Sequence, residues 1–217
     1  MKHLAKTGIL VIVLFLSVFA GISSMQVSGA TKTTSQLVSS DVSTHAKKTD
    51  PYAFFMADGT KAHFKGVGNE YAELTIRTKY LKGNHVALYE DNGGTVVLRV
   101  YRLSKDRIEL VKQEAEFYKE YKPTLKQLKA LKPISTYLKF PLKKGDVISG
   151  RKVVSIDATV STPYKKFRNA IVLEQKYKDG GISKTYFVEG FGEVKREFIL
   201  KQGKDTYKVT SSLESIK

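Results

Sequence analysis

Three glutamates in the last third of the chain have the residue type and spacing from which acid–base chemistry is built. Glu189, Glu193 and Glu197 surround a turn marked by Gly190 and Gly192. Two carboxyl groups that face each other across a cleft are what glycoside hydrolysis requires. Basic residues lie between the second and third glutamates, so paired surface charges on a hairpin explain the pattern more simply. A carboxylate-dependent hydrolase is therefore an alternative and not the first hypothesis.

Other patterns of catalytic or metal-binding residues are missing from the sequence. It has no cysteine and no Gly-x-Ser-x-Gly motif, so it offers no recognisable activated nucleophile. His63 and His85 are the two histidines of the expected folded part, whereas a zinc site needs three or four ligands. The Gly-x-Gly motifs at 66–68 and 190–192 lie between strand-like runs, without the helix that follows a phosphate-binding loop. We predict no catalytic residues, no metal and no cofactor.

Positive charge is the feature of the composition that bears most on function. The chain has 37 Lys and Arg against 21 Asp and Glu, a net charge of +16, and residues 31–217 keep +14 of it. Such a field attracts anionic partners over long distances. The candidate ligand-binding residues are basic residues on the predicted helix and beside turns: Lys126, Lys129, Lys143, Lys144, Lys165, Lys166, Lys195 and Arg196. Solvated lysines that only keep the protein soluble explain the same residues equally well.

Alternating apolar and polar residues indicate that a mainly β fold carries these side chains. Period-two runs separated by Gly-, Asn- and Asp-rich turns predict antiparallel strands. The turn at 91–94 is a strong hairpin signal, because Asn and Gly tolerate positive φ. Leucines at helical spacing, preceded by Thr124 as a possible cap, predict one short helix within residues 123–132.

The predicted β-rich domain covers residues 51–217. It consists of antiparallel meanders in two halves, 51–122 and 133–217, with the helical connector 123–132 between them. The meanders form either one curved sheet or two adjacent sheets. In the hairpin at 186–200 we expect a core-facing set, which is Tyr186, Val188, Val194, Phe198 and Leu200. The residues expected to face outward are Glu193, Lys195 and Glu197.

The first fifty residues predict export from the cytoplasm. Lys2 and Lys6 precede an apolar run at 9–20, which is shorter than the roughly 20 residues of a spanning helix and fits a signal peptide. We expect a signal peptide over 1–30, cleaved after Ala30, with an uncleaved anchor as the alternative. Residues 31–50 are rich in Ser, Thr and Lys and predict a flexible tether. Without a cysteine the chain cannot carry the usual N-terminal lipid anchor.

Several short motifs follow one another in a fixed order over residues 52–217. They are Gly66-Val67-Gly68-Asn69-Glu70-Tyr71-Ala72, Gly94-Thr95, Pro141-Leu142-Lys143-x-Gly145, Thr162-Pro163, Tyr186-Phe187-x-x-Gly190-x-Gly192-x-Val194-Lys195 and Ser211-Ser212-Leu213. This order resembles a group of secreted proteins and lipoproteins of Gram-positive bacteria that has no established activity. The resemblance implies an extracytoplasmic β-rich domain.

These patterns together predict a noncatalytic secreted protein of the cell envelope. Its expected partner is an anionic wall polymer, the membrane surface or another envelope protein. We expect no nucleic-acid partner, because the predicted export signal takes the protein out of the cytoplasm, where nucleic acid is found. The alternative is a carrier or chaperone that holds a lipid or another hydrophobic ligand in a cavity against the sheet.

Overall fold

One antiparallel sheet of twelve strands forms the folded part of the chain. The computed structural model describes residues 49–217, so the predicted signal peptide and nearly all of the tether lie outside the described residues. The strands are β1 Lys61–Val67, β2 Leu74–Leu81, β3 His85–Asp91, β4 Val96–Leu103, β5 Arg107–Glu114, β6 Ser135–Lys139, β7 Val147–Ile148, β8 Arg151–Ser161, β9 Lys166–Lys176, β10 Ile182–Val188, β11 Gly192–Gln202 and β12 Asp205–Ile216. A 3-10 helix, Pro51–Phe54, precedes them, and one α-helix, α1 Leu125–Ala130, lies between β5 and β6. The prediction of a mainly β fold with a short helix is confirmed.

The twelve strands form two six-stranded meanders that join through the first and last strands. The order across the sheet is β6-β5-β4-β3-β2-β1-β12-β11-β10-β9-β8-β7. Because β1 pairs with β12 from Ala62 opposite Ile216 to Val67 opposite Thr210, the two meanders make one continuous sheet. This sheet curls until it is nearly closed into a barrel. Strand β6 follows α1 in the sequence but pairs with β5, so the first meander ends after Lys139.

The α-helix forms where its cap and leucines predict it. The Thr124 hydroxyl accepts a hydrogen bond from the Gln127 backbone N–H at 3.2 Å, and the Gln127 side chain accepts one from the Thr124 N–H at 2.8 Å. This reciprocal capping box satisfies two N–H groups that a helix start otherwise leaves unpaired. Leu128 is fully buried in a cluster with Ala87 and Tyr89 of β3. Successive side chains of a strand point to opposite faces of the sheet. Val86 points into the interior, so its neighbour Ala87 and also Tyr89 point outward, and α1 therefore covers the outer face of the sheet.

Apolar contacts between strands that are remote in the sheet order fill the interior. One cluster unites Val86 of β3, Val153 of β8, Leu173 of β9 and Phe187 of β10. A second cluster unites residues of β1, β2, β8, β9, β11 and β12. Side chains of β3 and β9 can meet only if the sheet wraps around them, so these clusters are the core of the curled sheet.

Residues 51–55, the N-terminal plug, fit against this core and against the β10–β11 turn. The Phe54 ring stacks on Phe140 with 5.0 Å between ring centroids, and both rings are buried. The Gly190 N–H donates to the Ala53 carbonyl at 2.6 Å. Gly192 has φ +71°, and a Cβ atom added there would lie 2.4 Å from the Phe54 carbonyl oxygen. The plug therefore requires glycine at position 192.

The sheet stops short of full closure at the seam between β6 and the β7–β8 hairpin. Arg151 bridges this seam, because its Nη2 donates to the carbonyls of Thr136 at 3.2 Å and Tyr137 at 2.5 Å. The Ser149 hydroxyl also accepts a hydrogen bond from the Thr136 N–H at 3.0 Å. Strand β7 is two residues long, so among the described residues it gives most of β8 no strand neighbour on that side. The seam is thus tied at one end and open along the rest of β8.

We predict that Gly192→Ala destabilises the protein much more than Gly190→Ala. Both glycines have positive φ, at +71° and +87°, so alanine costs about 1 kcal/mol of backbone strain at either position. At 190 an added Cβ meets no atom within 4 Å, whereas at 192 it meets the backbone of the plug. Urea unfolding of the two variants measures the difference, which we expect to be at least about 2 kcal/mol. Equal losses of unfolding free energy would contradict the close contact with the plug.

Candidate ligand-binding groove

Four charged side chains lie inside the curled sheet and bind one another. The Glu90 carboxylate of β3 accepts hydrogen bonds from Arg99 Nη1 at 2.9 Å and from Arg196 Nη2 at 2.6 Å. Arg196 Nε also donates to Glu193. The side chains of Glu90 and Glu193 are each 12% exposed, so this interior ion cluster is largely shielded from water.

The interior ion cluster spans the inside of the sheet. Strands β3 and β11 are separated by three other strands in the sheet order. Neighbouring strands lie about 4.8 Å apart, so the two strands are roughly 19 Å apart when measured across the sheet. A direct contact between Glu90 and Arg196 is therefore possible only across the interior. Burial tends to raise the pKa of Glu90, but the guanidinium groups of Arg196 and Arg99 outweigh it and lower that pKa to about 2. For Glu193, burial outweighs the same guanidinium groups and raises the pKa.

The three glutamates around the β10–β11 turn do not form a carboxylate pair. Glu193 points inward to Arg196, so the expectation that it faces outward is wrong. A register shift beside Phe187 causes this, since it places Glu193 opposite Phe187, a buried core residue. Glu197 lies on the other face, where Tyr186, Lys195 and Lys208 bind it at 2.7, 3.0 and 3.0 Å. Glu189 is exposed at the turn and lies apart from the other two glutamates, in the lining of a surface groove.

An open groove of about 410 Å³ lies beside the unclosed part of the seam. The seam groove is lined by Thr49, Phe54, Phe140, Pro141, Leu142, Ile156, Arg168, Asn169, Ile171, Val188 and Glu189. Seven of its eleven lining residues are apolar, although polar atoms make up slightly more than half of the exposed lining surface. Most of these residues come from the plug, the segment after β6, and strands β8, β9 and β10. Pockets that bind small molecules typically measure roughly 300–1,000 Å³ and combine apolar walls with a few polar groups. The volume of the seam groove falls within that range, and its lining combines apolar and polar groups.

Arg168 is the polar residue of the seam groove with the clearest capacity to bind a ligand. It is exposed and makes no hydrogen bond or ion pair with any residue from 49 to 217. Its neighbour Asn169 has φ +54°, a left-handed conformation that is rare within a strand. The sequence analysis did not identify Arg168, although the polar pair 168–169 interrupts an apolar run at 167–173 and could have indicated it.

The eight basic residues proposed from the sequence do not form one site. Lys126 and Lys129 are exposed on α1, over the outer face of the sheet. Lys195 and Arg196 point to opposite faces of β11, the first toward Glu197 and the second into the interior ion cluster.

The other four basic residues lie close in sequence to the seam groove. Lys143 and Lys144 are exposed and directly follow Leu142, which lines one rim. Lys165 and Lys166 precede the lining residue Arg168 in the sequence, and Lys166 is exposed at the start of β9. None of these four lysines lines the groove itself, but each pair lies within three positions of a lining residue in the sequence.

The two histidines lie apart and in different surroundings. His63 is half-buried, with Nε2 3.6 Å from Glu73 and 3.5 Å from Glu214. His85 is buried, and its Nε2 has no hydrogen-bond partner, so burial lowers its pKa. Within residues 49–217 no group of three or more His, Asp or Glu side chains could hold a metal ion. That same part of the chain contains no helix long and apolar enough to span a membrane.

Comparison with known proteins adds one distant structural neighbour. No protein-family model matches the sequence, and no curated protein matches it. The neighbour is a crystal structure of a candidate exported protein with a YmcC-like fold from Bacteroides fragilis. It aligns with a TM-score of 0.45 and 16% sequence identity, over 76% of this chain and 98% of that chain. Similarity at this level carries no functional argument.

We predict that Glu90→Gln makes unfolding less dependent on pH in acid. The folded-state pKa of Glu90 is about 2, against an ordinary value of 4.5. The ionised Glu90 therefore stabilises the fold above pH 4.5 by on the order of 3 kcal/mol, and this contribution is lost as the pH falls from 4.5 toward 2. Urea unfolding from pH 2 to pH 7 should show a smaller decrease in unfolding free energy for Glu90→Gln than for the wild type.

The control for this prediction is Glu70→Gln, which removes an exposed carboxylate. We expect this variant to keep the wild-type dependence on pH. At pH 7 Glu90→Gln should lose about 3–5 kcal/mol, because it leaves two guanidinium groups without their shared carboxylate. If the unfolding free energy of Glu90→Gln decreased between pH 7 and pH 2 as much as that of the wild type, the interior position of the charge would be contradicted.

Proposed function

We propose that this chain is a noncatalytic, extracytoplasmic protein of the cell envelope that binds an anionic amphiphile in the seam groove. The ligand has an apolar chain and one phosphate or carboxylate head, as in a membrane lipid or the lipid anchor of a wall polymer. The observation that carries the proposal is the unpaired Arg168 in a groove that apolar side chains also line.

The lining of the seam groove supports a ligand of mixed character. Phe140, Leu142, Ile156 and Ile171 offer apolar surface for a hydrocarbon chain. Each buried methylene group of such a chain contributes roughly 0.8 kcal/mol. A guanidinium group binds phosphate and carboxylate through two parallel hydrogen bonds, so Arg168 is suited to the head group.

Charge outside the groove favours an anionic ligand as well. Lys143, Lys144 and Lys166 are exposed and lie within two positions of a lining residue in the sequence. Residues 31–217 carry +14, which attracts polyanions and anionic lipid surfaces outside the cell. The segment at 1–30 supplies the export signal for that location.

A binding role accounts for the acidic residues better than catalysis does. The interior ion cluster neutralises its own charges, and Glu197 is held by three partners on the outer face. A carrier of the kind expected from the sequence needs a cavity against the sheet. The interior clusters fill that space with side chains, and the groove lies at the seam instead.

We predict that Arg168→Gln weakens the binding of dodecyl phosphate roughly ten- to hundredfold. The loss corresponds to the removal of charge-assisted hydrogen bonds to the head group. Isothermal titration calorimetry below the micelle concentration of the ligand measures both affinities. Dodecanol, which has the same chain without the charge, should bind more weakly to the wild type and about equally to both proteins.

The matched control is Lys204→Gln, which removes one positive charge from the exposed β11–β12 turn. We expect this variant to bind dodecyl phosphate as the wild type does. Equal weakening by both substitutions would show that only the overall charge matters and would reject the groove. Release of inorganic phosphate from the ligand during the titration would reject the noncatalytic assignment.

A further inference from the structure

The ammonium group of Lys165 lies over three aromatic rings at one end of the sheet. Lys165 Nζ is 4.1 Å from the ring centroid of Phe191, 5.0 Å from that of Phe167 and 5.5 Å from that of Tyr164. The rings also contact one another, with centroid separations of 5.0 Å for Phe167 and Phe191 and 6.2 Å for Tyr164 and Phe191. A cation within about 6 Å of a ring centroid is attracted by the negative face of the ring.

Hydrogen bonds hold the backbone segments that carry Tyr164 and Phe191. In the β8–β9 turn, the Tyr164 N–H donates to the Leu213 carbonyl at 3.0 Å, which ties the turn to β12. The Thr162 hydroxyl bonds to the backbone of Lys165 at 3.0 and 3.3 Å. Phe167 is 4% exposed within an interior cluster, and the Phe191 N–H donates to the Val188 carbonyl at 3.0 Å. The backbone that carries the rings is therefore tied to the sheet before any ligand arrives.

Lys165 occupies this position without an anionic partner. It forms no ion pair with any residue in the described part of the chain. A lysine ammonium is compact and strongly hydrated, so it gives up favourable contacts with water when it faces aromatic rings. A quaternary ammonium group carries the same charge, but its nitrogen is bonded to four carbon atoms and has no N–H group. Aromatic cages in other proteins recognise such groups.

We infer that Tyr164, Phe167 and Phe191 form a cage for the quaternary ammonium group of a ligand, which Lys165 occupies in the free chain. The ligand class is a trimethylammonium compound, and the Lys165 side chain leaves the cage when such a ligand binds. This site takes a cation, so it is separate from the anion-binding role of the seam groove and does not rest on it.

Titration of the protein with tetramethylammonium chloride, followed by NMR of the Tyr164 and Phe191 ring signals, tests this inference. We expect saturable shifts in the wild type. Lys165→Ala should bind roughly five- to tenfold more tightly, because the competing ammonium group is gone. Lys204→Ala, the matched control in another exposed turn, should bind as the wild type does. Sodium chloride at equal ionic strength should not produce the shifts.

Two further comparisons separate a cation cage from an apolar patch. Neutral 3,3-dimethylbutanol has nearly the same shape as choline, and it should bind to Lys165→Ala at least fivefold more weakly than choline. Tyr164→Leu changes a residue that is 42% exposed and thus tolerant of substitution, and it should weaken tetramethylammonium binding. The inference is overturned if neither the wild type nor Lys165→Ala shows saturable shifts, or if the neutral compound binds as tightly as choline.

Discussion

The contact between Glu90 and Arg196 is the constraint on which the rest of the structure depends. It joins β3 to β11 across the interior, at a distance that the flat sheet would not allow. Arg99 and Glu193 complete the cluster, so two acids and two guanidinium groups balance in a place with little water. A buried charge without its partner is strongly destabilising, and the two meanders must therefore curl toward each other for all four groups to be satisfied.

The seam groove forms because the two ends of the curled sheet do not close fully. Arg151 and Ser149 tie β6 to the β7–β8 hairpin at one end of the seam through side-chain hydrogen bonds. Strand β7 is too short to cover β8, and register shifts interrupt the pairing of β8 with β9. Such irregularities bend a strand and re-aim its side chains, often beside functional sites. The groove is thus a product of incomplete closure, and the exposed Arg168 stands at its edge.

Local features of the fold could be predicted from the sequence, and long-range ones could not. The hairpin at 91–94 and the capped helix after Thr124 are set by nearby residues, so their signals lie within a few positions of each other. The pairing of Ala62 with Ile216 leaves no such local signal, and it decides between one sheet and two. The inward direction of Glu193 depends on a single register shift, which reverses the face that strict alternation predicts.

The candidate groove was only partly accessible from the sequence for the same reason. Two lysine pairs near it in the sequence were visible, but its lining residues come from positions up to 140 residues apart, from Thr49 to Glu189. A crystal structure of the protein with dodecyl phosphate tests the central claim most directly. The account predicts the alkyl chain between Phe140, Leu142 and Ile156, with the phosphate bound by Arg168. Ligand density elsewhere, with Arg168 still unpaired, would contradict it.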